Sequence, residues 1–133
     1  YSKAIFNLDK KDLIGKNDKK KIFLSCEIFR GKEVVAKDNY YFNRPKDLKL
    51  PESKFEFDYT SKIGKHLIKI RAKSFIFRMH IHCSNMIGVF SDNFFDMNPD
   101  EVREIEFIPK KKLKKDTPDL KFLLRSFGDL VDK

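Results

Sequence analysis

No tryptophan occurs in the 133 residues, and glycine, proline and cysteine are sparse, at five, five and two. Without tryptophan the chain lacks the side chain best suited to stacking on sugar rings, so a carbohydrate platform would have to rest on tyrosine. Two cysteines exclude a disulfide-dense scaffold, and none is needed, because a chain of this length buries an adequate core by itself. No apolar run is long enough to span a bilayer, so no membrane partner is expected. There is no internal repeat, no low-complexity tract and no loop of the kind that cradles a dinucleotide or a phosphate. An initiator methionine and an apolar signal segment are missing too. The sequence opens at Tyr1, and the expectation is a piece cut from a longer protein.

Phenylalanine is abundant. Fourteen of them, with four tyrosines, are spread among valine and isoleucine in short segments separated by turn residues. Alternation is strongest over residues 75–83: Phe75, Phe77, Met79, Ile81 and Cys83 fall on one side and Arg78, His80 and His82 on the other, with Ile76 breaking the polar face. Residues 67–74 place Ile68, Ile70 and Ala72 inward, and Phe55, Phe57 and Tyr59 alternate with Glu56 and Asp58 as a half-buried strand. Residues 22–29 and 34–42 read as a hairpin about Arg30-Gly31-Lys32-Glu33, with Cys26 on an apolar face. Ile5, Phe6 and Leu8 suggest a short strand, and Ser61-Lys62-Ile63-Gly64 a turn. Pro45 and Pro51 bracket an extended link, residues 102–108 form a further strand, and residues 120–126 are expected to close a sheet edge. Seven or eight short strands with no sustained helical period predict an all-β fold, an immunoglobulin-like antiparallel β-sandwich, in a single domain over residues 1–133.

The net charge is +9, from 29 Lys and Arg against 20 Asp and Glu. Most of the basic residues are lysines dispersed through every segment, and only Lys110-Lys111-Lys112-Leu113-Lys114-Lys115 forms a dense run. Dispersion of this kind describes a solvated surface, and the run a loop between strands, so a nucleic-acid partner ranks second. That second reading is a basic β-sandwich binding module, holding nucleic acid through the lysine run or sugar through Tyr40 and Tyr41.

Candidate sites are few. His80 and His82 sit two apart on a strand and so point the same way, but two imidazoles do not make a metal centre, and a third ligand such as Asp92 or Asp96 would have to join them. Solvent-facing histidines are the favoured reading, with no metal and no cofactor. Cys26 and Cys83 are spaced like the inter-sheet disulfide of antibody domains, yet the tryptophan that accompanies that bridge is absent, and free core thiols are expected. Asp92, Asp96, Asp100 and Glu101 offer carboxylates, but they lie in or beside tight turns, where such side chains cap main-chain N–H groups. A glycosidase pair flanking a cleft is not the pattern they make. Catalysis by this chain alone is therefore not expected.

The most distinctive stretch is residues 88–101. Phe90, Phe94, Phe95 and Met97 supply apolar surface, Ser91, Asp92 and Asn93 interrupt it, and Asn98-Pro99-Asp100-Glu101 reads as a turn. Such a polar triplet ends one strand and re-aims the next, with Asp92 or Asn93 bonding main chain across the kink and at least one of Phe94 and Phe95 buried. If the Asp92 bonds are buried, Asp92→Ala costs about 1–3 kcal/mol. The run Phe90-Ser91-Asp92-Asn93-Phe94-Phe95-Asp96 resembles the Phe-Ser-Asp-Asn-x-Phe-Asp-Leu-x-Pro-Gly-Glu signature in the final immunoglobulin-like domain of glycoside hydrolase family 2 β-mannosidases. Met97 stands where leucine is usual, and Asp100 where glycine is usual, which requires Asp100 to take a left-handed backbone. The segment from Tyr40 to Pro51 is similar to the family's strand and Pro-Lys-x-Leu-x-Leu-Pro connection. This resemblance implies a non-catalytic C-terminal accessory domain. Its parent would be a retaining enzyme that removes terminal β-mannose with two glutamates of a central barrel and no cofactor. The implied partners are other domains of the same polypeptide, with oligosaccharide substrate reached through the parent.

Overall fold

The computed structural model describes residues 7–62, 65–112 and 119–131. The sequence expectation of a strand at Ile5 and Phe6, the turn residues Ile63 and Gly64, and residues 113–115 of the lysine run lie outside them. Length suggests one domain; contacts gather into two compact units, Tyr1–Lys49 and Leu50–Lys133.

The first unit is a hairpin with a one-turn helix. Strands β1 (Phe23–Arg30) and β2 (Glu33–Tyr41) pair antiparallel from Phe23 opposite Tyr41 to Arg30 opposite Glu33. Gly31 turns the chain at a φ of 65°, a backbone that glycine adopts without steric cost. Ahead of the hairpin, Asp9 caps α1 (Lys10–Ile14) by accepting the Lys11 N–H at 2.7 Å, and Gly15 ends it. The Lys20 N–H and nearby Lys49 hold the Asp18 carboxyl below the usual carboxylate range, and Lys49 reaches it at 3.5 Å. Leu8 lies in no strand but in irregular chain just ahead of the Asp9 cap, and a 3-10 turn, Pro45–Asp47, starts the link expected to be extended. Ile28, Phe29, Val34, Val35 and Tyr40 are all exposed, and so is Cys26. The expectation that Cys26 is a core thiol is thus corrected: within this unit no second layer among the described residues covers the hairpin.

The second unit is the sandwich. One sheet has the order β3-β4-β8-β6, from β3 (Phe55–Lys62), β4 (Lys65–Ala72), β8 (Val102–Pro109) and β6 (Gly88–Phe90). The other has the order β7-β5-β9, from β7 (Phe95–Met97), β5 (Ile76–Cys83) and β9 (Phe122–Arg125). A short helix, α2 (Gly128–Val131), follows β9. All pairings are antiparallel. Ile68, Ile70 and Ala72 of β4 and Ile105 of β8 meet Ile76, Met79 and Ile81 of β5 and Phe95 and Met97 of β7 in one buried cluster. This is the packing of two inner faces that the alternation along β4 and β5 predicts. Two details depart from it. Phe57 is exposed on the edge strand β3. Ile76, which breaks the polar face by strict alternation, is fully buried, because β5 bulges: two residues, Phe77 and Arg78, lie between its paired positions Ile76 and Met79, against the single Asp96 between Phe95 and Met97 on β7. The extra residue lets Ile76 and Met79, three positions apart, both enter the main cluster. Phe77, expected on the core side, is instead buried outside that cluster, edge-on to Phe127 at 5.6 Å and 5.1 Å from the Arg78 guanidinium.

Where β6 meets β8, Gly88 is required by contact rather than conformation. A Cβ there would lie 2.4 Å from the buried Phe107 ring and 2.6 Å from the Ile108 carbonyl. Gly88→Ala is expected to destabilise the chain by about 1–3 kcal/mol, read as a lowered midpoint in urea unfolding.

Candidate functional site

The chain changes sheets between Phe90 and Phe95, and the side chains on this crossing replace the ladder that the crossing interrupts. Phe90 ends β6 half-buried against Phe107 (4.9 Å) and Phe122 (6.2 Å). Ser91 stays attached to the first sheet: its N–H donates to the Glu106 carbonyl at 2.8 Å and its Oγ accepts the Glu106 N–H at 3.0 Å. Two residues later the chain is on the second sheet, but β7 has not begun. Asn93 fills the gap with its amide, Oδ1 accepting the Ile81 N–H at 2.8 Å and Nδ2 donating to the Ile81 carbonyl at 2.9 Å. These are the two bonds a residue of an adjacent antiparallel strand would make. Asn93 Oδ1 also accepts the Phe94 N–H at 3.1 Å, which fixes the amide orientation.

Phe94 and Phe95 separate across the sheet. Phe95 is buried in the core; Phe94 is 65 % exposed at a φ of 59°, its ring stacked on His80 at 4.8 Å. Asp96 answers the bulge, its Oδ1 accepting the Arg78 N–H at 2.9 Å where Arg78 takes a φ of 51°.

Beyond β7, Asp100 adopts a φ of 65°, the left-handed backbone that a residue in the usual glycine position must take. The Glu101 N–H closes the turn on the Asn98 carbonyl, and Glu101 Oε2 accepts the Asn98 N–H at 2.9 Å. Arg103 then ties the turn to the crossing. Its guanidinium holds Glu101 at 2.9 Å and Asp92 at 3.3 Å and lies 4.5 Å from the centre of the Phe95 ring. Sequence reasoning did not single out Arg103; its place two residues after Glu101 in an alternating strand was the available signal.

The division of labour between Asp92 and Asn93 is clear in this geometry. Asp92 bonds only the neighbouring Asn93 N–H and Arg103, with its side chain about half exposed at 53 %. Asn93 carries the bonds across the kink. Of the other candidates, His80 and His82 stack at 6.5 Å on the outer face of β5. Among the described residues no group of three His, Cys, Asp or Glu is placed to hold a metal ion. Cys83 is a buried free thiol. Asp92, Asp96 and Glu101 each accept a main-chain N–H, and Asp92 and Glu101 also share the Arg103 guanidinium. Tyr40 is exposed with its ring against the Phe42 edge, whereas Tyr41 leans on Phe23. Consecutive strand residues face opposite ways, so the two tyrosines form no common platform.

The family models agree with this architecture. Residues 48–130 match the Ig-fold domain of mannosidases, and residues 1–47 match the mannosidase Ig/CBM-like domain. The chain belongs to the mannosidase Ig-fold domain family. The two matches meet where the two compact units divide, at residues 47–50. Together they mark an accessory portion of a mannosidase-type glycosidase. No curated protein matches the chain.

Asn93→Ala removes the Ile81 partners from a half-buried site, and a loss of about 2–4 kcal/mol is expected. Asp92→Ala, which breaks a partly exposed ion pair and a local bond, is expected to cost less than about 1 kcal/mol. Urea unfolding of both variants checks the order; equal losses would contradict it.

Proposed function

We propose that this mannosidase Ig-fold chain is a non-catalytic, C-terminal accessory portion of a retaining β-mannosidase of glycoside hydrolase family 2. The observation that carries the reading is the pair of adjoining family matches over residues 1–47 and 48–130. The residue-for-residue correspondence of Phe90 to Asp96 with the β-mannosidase signature supports the finer assignment. In this reading the parent hydrolyses terminal non-reducing β-mannose with an acid/base glutamate and a nucleophilic glutamate of its barrel. Two carboxyl groups about 5 Å apart suffice for retention, and no cofactor is involved.

The role of this chain is then mechanical. The sandwich stabilises the catalytic assembly through the stitched crossover, which keeps a two-layer core in register. The apolar residues that the hairpin exposes, Ile28, Phe29, Val34, Val35 and Tyr40, dock on other domains of the same polypeptide. Oligosaccharide is met by the parent.

The test is to sequence the reading frame around this chain and assay the whole product on an aryl β-mannoside. The expected frame encodes about 250 residues of alternating strands and helices with glutamates at strand ends. The whole protein should cleave the substrate, and the 133-residue chain alone should not. A frame without such a barrel, or hydrolysis by the short chain, would overturn the proposal.

A further inference from the structure

The outer face of the β7-β5-β9 sheet carries a strip of side chains that neither the core nor the crossover uses. His80 of β5 stands opposite Arg125 of β9 in the ladder, and Arg78 precedes His80 by two positions. Together with Phe94 and Phe127 they line a cavity of about 300 Å³. A second hollow of about 180 Å³ shares His80 and Arg125 and extends the first toward His82.

Three properties of this strip point to a ligand. The first is unanswered charge. Arg30, Arg44 and Arg103 each hold a carboxylate; among the described residues Arg71, Arg78 and Arg125 hold none, and the last two share this cavity. Asp96, beside them, has Oδ1 committed to the Arg78 N–H. The second is an open aromatic face. One side of the Phe94 ring rests on His80 with an interplanar angle of 18°, and the side chain is nevertheless 65 % exposed. The third is stored strain. Of the three non-glycine residues with positive φ among those described, Arg78 and Phe94 both border this cavity. Left-handed backbone at such residues is strained and gathers at ligand sites.

The chemistry selects the ligand. Two guanidinium groups without a carboxylate, Arg78 resting 5.1 Å from the centre of the Phe77 ring, call for an oxyanion, carboxylate or phosphate, which arginine meets with paired N–H donors. An exposed aryl face beside them suits the apolar C–H face of a pyranose ring. The volume lies at the small end of ligand sites, enough for one ring rather than a chain. We propose that Arg78, Arg125, His80 and Phe94 form a binding site for one acidic sugar residue, its oxyanion on the arginines and its ring on Phe94. The site does not rest on the family assignment.

The test is an NMR titration of the 133-residue chain with glucuronic acid and with glucose 6-phosphate, against glucose and inorganic phosphate. At least one acidic sugar should shift the His80 and Phe94 ring signals with a Kd of about 1 mM or tighter. Raised salt should weaken the binding. The tighter of the two acidic sugars identifies carboxylate or phosphate as the oxyanion. Arg125→Ala should weaken binding at least about tenfold. Phe94→Gly frees the backbone from its left-handed penalty, so the fold should keep its thermal midpoint, and the preference for the acidic sugar over inorganic phosphate should disappear. Absence of ring shifts with either acidic sugar at about 20 mM, well above that Kd, would overturn the proposal. So would binding unchanged in Arg125→Ala, glucose binding as tightly as the acidic sugars, or an undiminished preference in Phe94→Gly.

Discussion

The bidentate bond between the Asn93 amide and the Ile81 peptide is the interaction on which the sandwich depends. A chain that leaves one sheet and joins another must pass through a stretch where neither ladder serves it, and buried main-chain groups tolerate no gap. Ile81 lies in β5, the central strand of its sheet, at 1 % exposure, so its N–H and carbonyl have little access to water. Asn93 carries a donor and an acceptor with the spacing of a peptide group, and it supplies both. Ser91 performs the same service for Glu106 on the first sheet, with a hydroxyl and its own N–H. The crossing is therefore hydrogen-bonded at both of its ends.

The same economy explains the outer face. Register between β5 and β7 is kept only because one extra residue bulges out of β5, and Asp96 takes the N–H that the bulge turns away from the ladder. Bulge and crossing each require a left-handed residue, and these are Arg78 and Phe94. One aims a cation and the other an aromatic ring at the same hollow. A device that satisfies the core thus leaves a shaped, charged surface outside it. Arg103 links the crossing to the turn at Asp100 from the opposite direction, and its stacking on Phe95 joins that ion-pair network to the core.

Much of this was legible in sequence, for a physical reason. Where both faces of a strand have settled environments, alternation records them, and Ile68, Ile70, Ala72, Met79 and Ile81 are buried as the pattern requires. The interrupted apolar run at residues 90–97 likewise marks a strand end and a re-aimed strand, with Phe95 in and Phe94 out. What pattern does not carry is pairing at a distance. The bulge that buries Ile76 depends on the register of β7, and the choice of Asn93 over Asp92 for the Ile81 bond depends on which side chain reaches β5. Cys26 and the hairpin apolar residues have a strand period but no covering layer in their own unit, so periodicity alone overstated their burial.

The central claim is that a side-chain amide stands in for a strand at Ile81, and native-state amide hydrogen exchange tests it most directly. In the unaltered chain the Ile81 N–H should exchange as slowly as the N–H groups of β4 in the core, since it opens only with the fold. In Asn93→Asp, which can still accept the N–H but cannot donate to the carbonyl, Ile81 exchange should accelerate well beyond that of the β4 amides. Fast Ile81 exchange in the unaltered chain, or an equal change at every core amide of the variant, would contradict the account.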